Sequence, residues 1–592
     1  MATQAYKHLI NDPETCVDDM LDGVLAMHPN LKRLKGYRVI LREDIEEYKA
    51  SGKVTLLCGG GSGHEPFAAG YVGKNMLSAA VAGAVFASPP PNVVLAALRA
   101  LACPGKRTGT LLILINYTGD RLNFGIGVER ARAEGCKIDV VTVAEDCALT
   151  STDKTAGRRG LSGAVFIHKI AGTLAEEGKS LEEIVKITLE ATQNMGTIGV
   201  GLSPCCVPGS GSTFTLGDDE MELGLGIHGE VGVTRMKLTP AVNVAATMIN
   251  HMTNPRTSSH IKIAAGDKVA IILNNLGGTS TLEFCVMAKE VIAFLENKGV
   301  TLERVYGGHF MTSLDMAGVA LSILHLDGTR RRCLDAETTA FGWPKTVSSE
   351  SLLPGMKRSN RDYAEITPKE QDTRVAQPAG ADISEEMKTS VVKAVRSACE
   401  AIIASESVLN DLDREGGDND CGTTMKGIAI GILSLCDSFS QMTPYAMFVA
   451  MATSIQNTSG GASGALYGLL CTAAATPLQR STDIDAWVDA LGSVITALSK
   501  YGGAEPGDRT MLDPLYAAYK VLVSELKEGG VTSLDAFGKA VRAAEESAEA
   551  TAKMEAKAGR ASYVSQDKLT KPDPGATAVA IWMTAIYDIL IQ

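Results

Sequence analysis

Segments with the character of β-strands are confined to the first 344 residues of this 592-residue chain. Four short apolar runs stand out there: Val54–Cys58, Thr110–Ile115, Ile138–Val143 and Val269–Leu273. Between them, segments such as 93–101 and 181–191 carry apolar residues at helical spacing. Apolar runs that alternate with helices are typical of strands buried on both faces of a parallel sheet. This part is therefore predicted to be α/β, and its size favours two α/β lobes.

The character of the sequence then changes. Residues 346–384 are rich in charged residues, serine and proline and lack an apolar period, which is typical of a linker. Beyond them, apolar residues recur every three or four positions, beginning with a stripe from Met387 to Ile402. We therefore predict three parts: an α/β region at 1–345, a linker at 346–384 and an all-α bundle or barrel at 385–592.

Composition excludes several classes of protein. Lysine and arginine number 56 against 68 aspartates and glutamates, and aromatic residues make up only 5 %. That balance argues against general nucleic-acid binding and against a base-stacking surface. No run reaches the roughly 18 apolar residues of a membrane span, and Asp588 interrupts the most apolar helix, 576–591. With scattered cysteines, no apolar signal core in the first residues and no peroxisomal address at Ile589–Gln592, the sequence predicts a cytoplasmic protein without nucleic-acid or membrane partners. Import into an organelle by another signal stays an open alternative.

The first candidate site follows the first predicted strand. The segment GGGSGHEP, 59–66, places His64 at the carboxyl edge of the sheet, where open α/β folds bind ligands. The alternative is a tight turn with a surface histidine. The segment lacks the third glycine of the dinucleotide fingerprint, and the GxGxxG at 224–229 is not followed by a helix start.

Asp120 and His228 are two further candidate site residues. Asp120 follows the strand 110–115 in NYTGDRLNFG, so it can face His64 as an acid/base partner or simply form a turn. His228 lies among four glycines in ELGLGIHGE, which leaves its imidazole open to a ligand. A neutral imidazole is a nucleophile, although a histidine hydrogen-bonded to the backbone is the alternative.

The helical part carries an acidic loop, LDREGGDNDCGTTM, at 412–425. Asp413, Asp418 and Asp420 can converge there, and carboxylate oxygens at this density suit Mg²⁺. An EF-hand is excluded because its twelfth position is Gly422 rather than glutamate. The alternative is a solvated acidic loop.

Three more segments favour phosphate binding. NTSGGASGALYG at 457–468 offers backbone N–H groups at a helix start, and GGAEPGDRTMLDP at 502–514 supplies Arg509. KPDPGA places Asp573 and Pro574 before the last helix as a cap. Ordinary turns and caps would explain each segment alone, but together with the aspartates they predict a Mg²⁺–nucleotide site.

In this order, the motifs resemble one family. They are GGGSGHEP, NYTGDRLNFG, LGLGIHGE, LNNLGGTS, GDxDxGTT, GGASGALYG, PGDRTMLD and DPGA. The set resembles the ATP-dependent dihydroxyacetone (glycerone) kinases, which join a DhaK substrate domain to a DhaL nucleotide domain. The resemblance covers nearly the whole chain except the linker.

The resemblance implies a role for each matching residue. His228 would form a covalent hemiaminal with the carbonyl of dihydroxyacetone or D-glyceraldehyde, His64 and Asp120 would assist, and Asp120 would handle the proton of the phosphorylated hydroxyl. The triose would be held by Gly61, Ser62, Gly63, His64 and Asp120. Mg²⁺ would be bound by Asp413, Asp418 and Asp420. ATP would be bound by Cys421, Gly422, Thr423, Thr424, Ala462, Ser463, Gly502, Arg509, Thr510, Met511, Asp573, Pro574 and Gly575. A barrel of eight antiparallel helices and a homodimer are also implied.

Departures from the family pattern leave these groups in place. Val231 replaces a proline after HGE, and Asn419 replaces a glycine between Asp418 and Asp420. Cys421 stands where phosphotransferase-coupled relatives have histidine, so free ATP is the expected donor. Two alternatives stay open: an FAD-AMP lyase side activity and a non-catalytic regulatory protein.

Overall fold

The computed structural model describes residues 7–102, 108–148, 157–230, 232–344, 357–359, 380–458 and 461–592. The chain forms two compact units, Met1–Ala364 and Glu365–Gln592. The division falls inside the predicted linker, most of which lies outside the described residues, as does Val231. Of the linker residues that are described, Arg358 and Ser359 donate backbone N–H groups to the carboxylate of Glu296 in the N-terminal unit, at 2.7 and 2.9 Å.

The N-terminal unit contains two six-stranded sheets and nine α-helices among its described residues. The first sheet has the order β1-β2-β4-β3-β5-β6, and the second has the order β11-β10-β7-β14-β12-β13. The strands are β1 Leu31–Arg33, β2 Val39–Arg42, β3 Thr55–Ser62, β4 Ala79–Val85, β5 Thr110–Ile115, β6 Ile138–Val143, β7 Met195–Gly201, β8 Cys206–Val207, β9 Gly211–Ser212, β10 Glu220–Leu223, β11 Thr234–Lys237, β12 Lys268–Asn275, β13 Thr301–Gly308 and β14 Gly318–His325. The helices are α1 Cys16–Met27, α2 Ile45–Ala50, α3 Pro91–Leu101, α4 Thr118–Ala133, α5 Ala164–Glu176, α6 Leu181–Gln193, α7 Ala241–Met252, α8 Thr281–Asn297 and α9 Gly328–Asp335. The prediction of an α/β region is confirmed.

The prediction of a parallel sheet is wrong in part, because both sheets are mixed. β3 pairs in parallel with β4 and β5, and β5 pairs in parallel with β6, to which α4 connects it. In the second sheet, β14 lies antiparallel to both β7 and β12. All residues of β14 except the last are buried. A strand that is buried on both faces has a continuous apolar sequence, which is also typical of a parallel strand, so the sequence did not reveal its antiparallel pairing.

Helix α5 explains how the two sheets share one core. Its residues from Ala164 to Ala175 are all buried, which is the pattern of a helix covered on every side. The cluster around α5 includes Leu111 and Ile113 from the first sheet and Ala270 and Ile272 from the second. The two lobes are therefore joined by a continuous apolar core, which fixes the strand ends of both sheets relative to one another.

The C-terminal unit is helical, as predicted. Its described α-helices are α10 Glu385–Ala404, α11 Glu406–Asp413, α12 Cys421–Leu433, α13 Pro444–Thr458, α14 Gly461–Leu478, α15 Ile484–Gly502, α16 Leu512–Glu528, α17 Ser533–Ala550 and α18 Pro574–Leu590. Only Ser405 separates α10 from α11, so the nine helices correspond to the eight implied by the resemblance if these two are counted together. Successive helices pack on one another, and α10 packs on α18. No helix in the described parts of the chain is both long and apolar enough to cross a bilayer.

Candidate functional site

His64 lies two residues beyond β3, at the carboxyl edge of the first sheet, as predicted. It is 2 % exposed, and its Nδ1 lies 2.8 Å from the carbonyl oxygen of Thr312. Because a carbonyl can only accept, Nδ1 carries the proton. Burial, followed by repulsion from His228, lowers the pKa of His64 to about 3, so the ring is neutral. Its Nε2 is therefore a buried acceptor, and it has no protein partner among the described residues.

His228 reaches the same place from the loop between β10 and β11. Its ring meets three other rings nearly edge to face: His64 at 4.8 Å, Tyr117 at 4.9 Å and Phe86 at 5.1 Å between centroids. Nδ1 of His228 lies 2.9 Å from Oε1 of Glu230, and its backbone N–H donates to Oε2 at 3.0 Å. The carboxylate thus holds both the imidazole and the backbone of His228, by one hydrogen bond each.

Asp120 completes this group from the first turn of α4. It is 7 % exposed, and Oδ1 accepts a hydrogen bond from Ser88 Oγ at 2.5 Å. Burial raises the pKa of Asp120 to about 6, although the Ser88 bond and the charge of His228 oppose the rise. A carboxyl group with this pKa is suited to accept a proton near neutral pH.

The glycines of the 59–66 segment leave room for the two residues that follow β4, Phe86 and Ala87. A Cβ on Gly61 would lie 2.8 Å from the nitrogen of Ala87, and one on Gly63 would lie 2.8 Å from the Phe86 ring. Gly63 also has φ +96°, a conformation that favours glycine. Ser62 Oγ donates to the carbonyl of Gly83 at 2.8 Å, so this hydroxyl holds β4 rather than facing the site freely.

In the C-terminal unit, Asp413, Asp418 and Asp420 converge on the loop between α11 and α12. One carboxylate oxygen from each lies within 4.8 Å of the others. The hydrogen bond with Asp418, then burial and the charges of Asp418 and Asp413, raise the pKa of Asp420. Such crowding of hard oxygen ligands fits a divalent cation, which would relieve the repulsion.

The loop backbone supports this cluster. Oδ2 of Asp413 accepts N–H groups from Asp420 at 3.1 Å and Cys421 at 3.3 Å. Asn419 has φ +64°, a left-handed conformation that asparagine tolerates better than most residues, so replacing glycine there is compatible with the fold. Arg560 forms an ion pair with Asp418.

The first turn of α12 holds the next four predicted residues. Cys421 to Thr424 begin this helix, and Thr423 is fixed by Asn410, which donates to its hydroxyl and accepts its N–H, both at 3.1 Å. Burial raises the pKa of the Cys421 thiol to about 12, so it is not a thiolate.

Two other loops lie close to this turn. Arg509 is buried, donates to the carbonyl of Lys571 at 2.8 Å and lies 3.9 Å from Asp573. Asp573 caps α18 by accepting the N–H of Ala576 at 2.8 Å, and burial raises its pKa to about 6. Gly575, next to Pro574, lies against Met511.

The remaining predicted residues of the C-terminal unit lie in a turn and at helix ends. Thr510 donates its N–H to Asp513 at 2.7 Å and so closes the turn before α16. Ala462 and Ser463 form the start of α14, while Gly502 ends α15 and lies near Leu466, one turn further along α14.

Two family models match this chain. Residues 22–342 match the Dak1 domain, and residues 415–588 match the DAK2 domain. The human protein named triokinase/FMN cyclase is 46 % identical over 585 residues, which are 99 % of each chain. The chain belongs to the dihydroxyacetone kinase family.

Solved structures of the family extend the match. The native dihydroxyacetone kinase of C. freundii is 30 % identical, with a TM-score of 0.65 over 99 % of this chain and 100 % of that one. The same enzyme in complex with AMP-PNP and Mg²⁺ gives the same values. The co-activator Dha-DhaQ is 29 % identical but covers only 55 % of this chain, with a TM-score of 0.50. Since the full-length relatives are kinases, this family member is a kinase, and the alternative of a non-catalytic regulatory protein is wrong.

Sequence reasoning missed four residues that complete the two sites. Glu230 and Tyr117 contact His228, Phe86 closes the pocket beside it, and Arg560 pairs with Asp418. The sequence did contain a pattern that could have identified Glu230, because an acidic residue two positions after a glycine-flanked histidine can reach the imidazole of that histidine. Phe86 and Arg560 come from other segments, where no local pattern pointed to them. Tyr117 lies in the quoted segment NYTGDRLNFG, but no local pattern pointed from it to His228.

Proposed function

We propose that this kinase transfers the γ-phosphoryl group of ATP to dihydroxyacetone, and to D-glyceraldehyde, while the triose is bound covalently to His228. The family membership supports ATP-dependent phosphorylation of a triose. The observation that carries the covalent step is the bond from Nδ1 of His228 to Glu230.

This bond selects the reactive nitrogen. Burial acts to raise the pKa of Glu230, but the hydrogen bond and charge of His228 and, more weakly, the charge of Arg159 hold it at about 2. An ionised carboxylate can only accept, so Nδ1 carries a proton, and in the neutral ring that reacts the lone pair is on Nε2. In the proposed step, Nε2 bonds to the carbonyl carbon, the C=O π bond breaks, and its oxygen takes a proton to give a neutral hemiaminal as Nδ1 releases its own.

The other two groups supply complementary roles. The orphaned Nε2 of His64 would accept a hydrogen bond from a hydroxyl of the captured triose, because its lone pair has no protein partner among the described residues. Asp120 would accept the proton of the hydroxyl that is phosphorylated. Glycerol has no carbonyl for His228 to bond, so it would not be held.

Asp413, Asp418 and Asp420 would hold Mg²⁺, which neutralises phosphate charge when bound. The backbone at the start of α12, with Arg509 nearby, would bind the phosphates of ATP. The side chain of Arg560 is 66 % exposed. When the cation binds to Asp418, Arg560 would break its ion pair with that carboxylate and contact a phosphate oxygen of ATP.

The test is NMR of [2-¹³C]dihydroxyacetone with the full-length protein, followed by a coupled assay of ADP release. The wild type should show a new tetrahedral-carbon signal, and His228→Ala should lose both that signal and turnover. His325→Ala is the control, since His325 lies at the far end of β14 from the site-side residue Gly318. A folded His228→Ala protein that kept normal turnover would show that the covalent assignment is wrong.

A second activity, conversion of FAD to AMP and cyclic FMN, is favoured by one observation. The human relative that matches 99 % of this chain is named triokinase/FMN cyclase. Incubation with FAD and Mn²⁺, followed by chromatography, would detect the products. His228→Ala should keep this activity because no carbonyl is captured, whereas Asp420→Asn should lose it.

A further inference from the structure

Arg159 is a buried cation behind the loop that carries His228. Its side chain is 9 % exposed, Nε donates to Oδ2 of Asp146 at 2.7 Å, and Nη2 donates to the carbonyl of Gly224 at 2.6 Å. Its third nitrogen, Nη1, faces Gly226. A Cβ on Gly226 would lie 2.6 Å from Nη1 and would also collide with Oε2 of Glu230. The guanidinium and the carboxylate thus face one another across a residue that has no side chain.

We propose that Arg159 is a positioning residue: acting through Glu230, its guanidinium fixes the tautomer of His228 and so selects Nε2 as the atom that bonds the substrate. This inference rests on the proposed function. It adds a residue that does not touch the triose and that none of the sequence motifs contains.

The charges around Glu230 support this role. The groups that act on it or on Arg159 are His228, His64, Tyr117 and Asp146, and Glu145 acts in turn on Tyr117. His64 is neutral, and Tyr117 is neutral because burial raises the pKa of its phenol. Asp146 is already paired with Arg159. Burial raises the pKa of Glu145 to about 7, so much of it is protonated near neutral pH. Among the described residues that act on Glu230, Arg159 therefore carries the permanent positive charge.

Removing this charge changes what Glu230 can do. Without the guanidinium, burial favours uptake of one proton from solvent by Glu230, and the protonated carboxyl can donate a hydrogen bond to Nδ1. The proton of the imidazole then moves to Nε2, and the nitrogen next to the triose loses its lone pair. A carboxylate that holds a histidine in one tautomer is a known requirement of histidine-dependent catalysis.

The test is ¹⁵N NMR of the full-length protein labelled at its histidines, without substrate, with His228→Ala used to assign the His228 signals. The wild type should show the Nδ1–H tautomer of His228. Arg159→Gln should shift it toward Nε2–H and lower kcat for dihydroxyacetone by about tenfold to a hundredfold. Arg159→Lys, which keeps the charge, should retain the wild-type tautomer. Arg42→Gln is the matched control, because Arg42 is also buried and ion-paired, but with Asp44 and Glu176.

Arg159 also holds the loop in place through its hydrogen bond to the carbonyl of Gly224. Loss of turnover alone would therefore not distinguish this structural role from an effect on the tautomer of His228. An unchanged Nδ1–H tautomer in folded Arg159→Gln would overturn the proposal, even if turnover fell. If that variant does not fold, Arg159→Met takes its place with the same expected result. Because the tautomer is read without substrate, a wild type with no tetrahedral-carbon signal would refute the covalent function and leave this comparison valid.

Discussion

Asp120→Asn should make the N-terminal unit more stable above pH 6 while abolishing phosphoryl transfer. The reason is that Asp120 is 7 % exposed, and burial raises its pKa from 3.8 to about 6. The native protein therefore holds this carboxylate ionised only against a desolvation penalty. Asparagine keeps the shape and can still accept the Ser88 hydrogen bond, but it carries no charge.

The shift gives the size of the effect. A difference of about two pKa units corresponds to about 3 kcal/mol. Between pH 3.8 and pH 6 the folded protein binds the proton more tightly than the unfolded chain, so stability falls as the pH rises through this window. Above pH 6 the whole penalty is present. The variant should therefore exceed the wild type by up to about 3 kcal/mol at pH 8 and by less than about 1 kcal/mol near pH 4.

Urea unfolding followed by tryptophan fluorescence measures this difference. The chain has three tryptophans, and only Trp343 belongs to the N-terminal unit, where it is 8 % exposed. A background with Trp487→Phe and Trp582→Phe makes the fluorescence report on that unit alone. Asp218→Asn, at an exposed carboxylate of the same unit, is the matched control.

The kinetic part uses the same pKa. If Asp120 accepts the proton of the substrate hydroxyl, kcat of the wild type should fall about tenfold per pH unit below pH 6, because only the ionised form is active. A stability difference between Asp120→Asn and the wild type that stays constant from pH 4 to pH 8 would refute the burial argument. Turnover near the wild-type rate in the variant would refute the catalytic role.

Three further outcomes are expected. Gly61→Ala should raise KM for dihydroxyacetone at least about tenfold without changing ATP affinity by calorimetry, because its Cβ would lie 2.8 Å from the nitrogen of Ala87; an unchanged KM would contradict the role of this loop. Asp420→Asn should weaken Mg²⁺-dependent ATP binding about tenfold or more in the same titration, since it removes one of three converging carboxylates, and an equal affinity would remove the metal assignment. Arg560→Ala should strengthen Mn²⁺ binding in the absence of nucleotide, as measured by electron paramagnetic resonance, because it frees Asp418; weaker binding would show that the arginine helps to hold the cation site.

Local patterns predicted much of the fold and the positions of several candidate site residues. The strands β5 and β6 have exactly the predicted bounds, and the predicted helix at 181–191 is α6, Leu181–Gln193. Every residue of β5 is buried, and α6 buries residues at helical spacing, so the period of the apolar residues identifies each element. The same logic placed His64 and Asp120 just beyond strand ends, where the structure has them.

Pairings between distant segments could not be read from the sequence. The insertion of β14 between β7 and β12 depends on which edges remain free after the other strands pair, which no local pattern records. The ion pair of Arg560 with Asp418 joins residues from different loops. A local sequence pattern also does not identify a partner subunit or a cellular location, so the expected homodimer and cytoplasmic location stay predictions.

The packing of α10 on α18 makes the C-terminal unit a closed ring of helices. The end of α11 is tied to the segment before α18 by Lys571, whose Nζ donates to Asp411 at 2.6 Å. Because α10 and α18, the first and last helices of the ring, are neighbours, the chain could begin and end at a different loop without changing which helices pack together. A gene that joined the present end of this unit to its start and opened the loop at 529–532 instead should still encode the same ring.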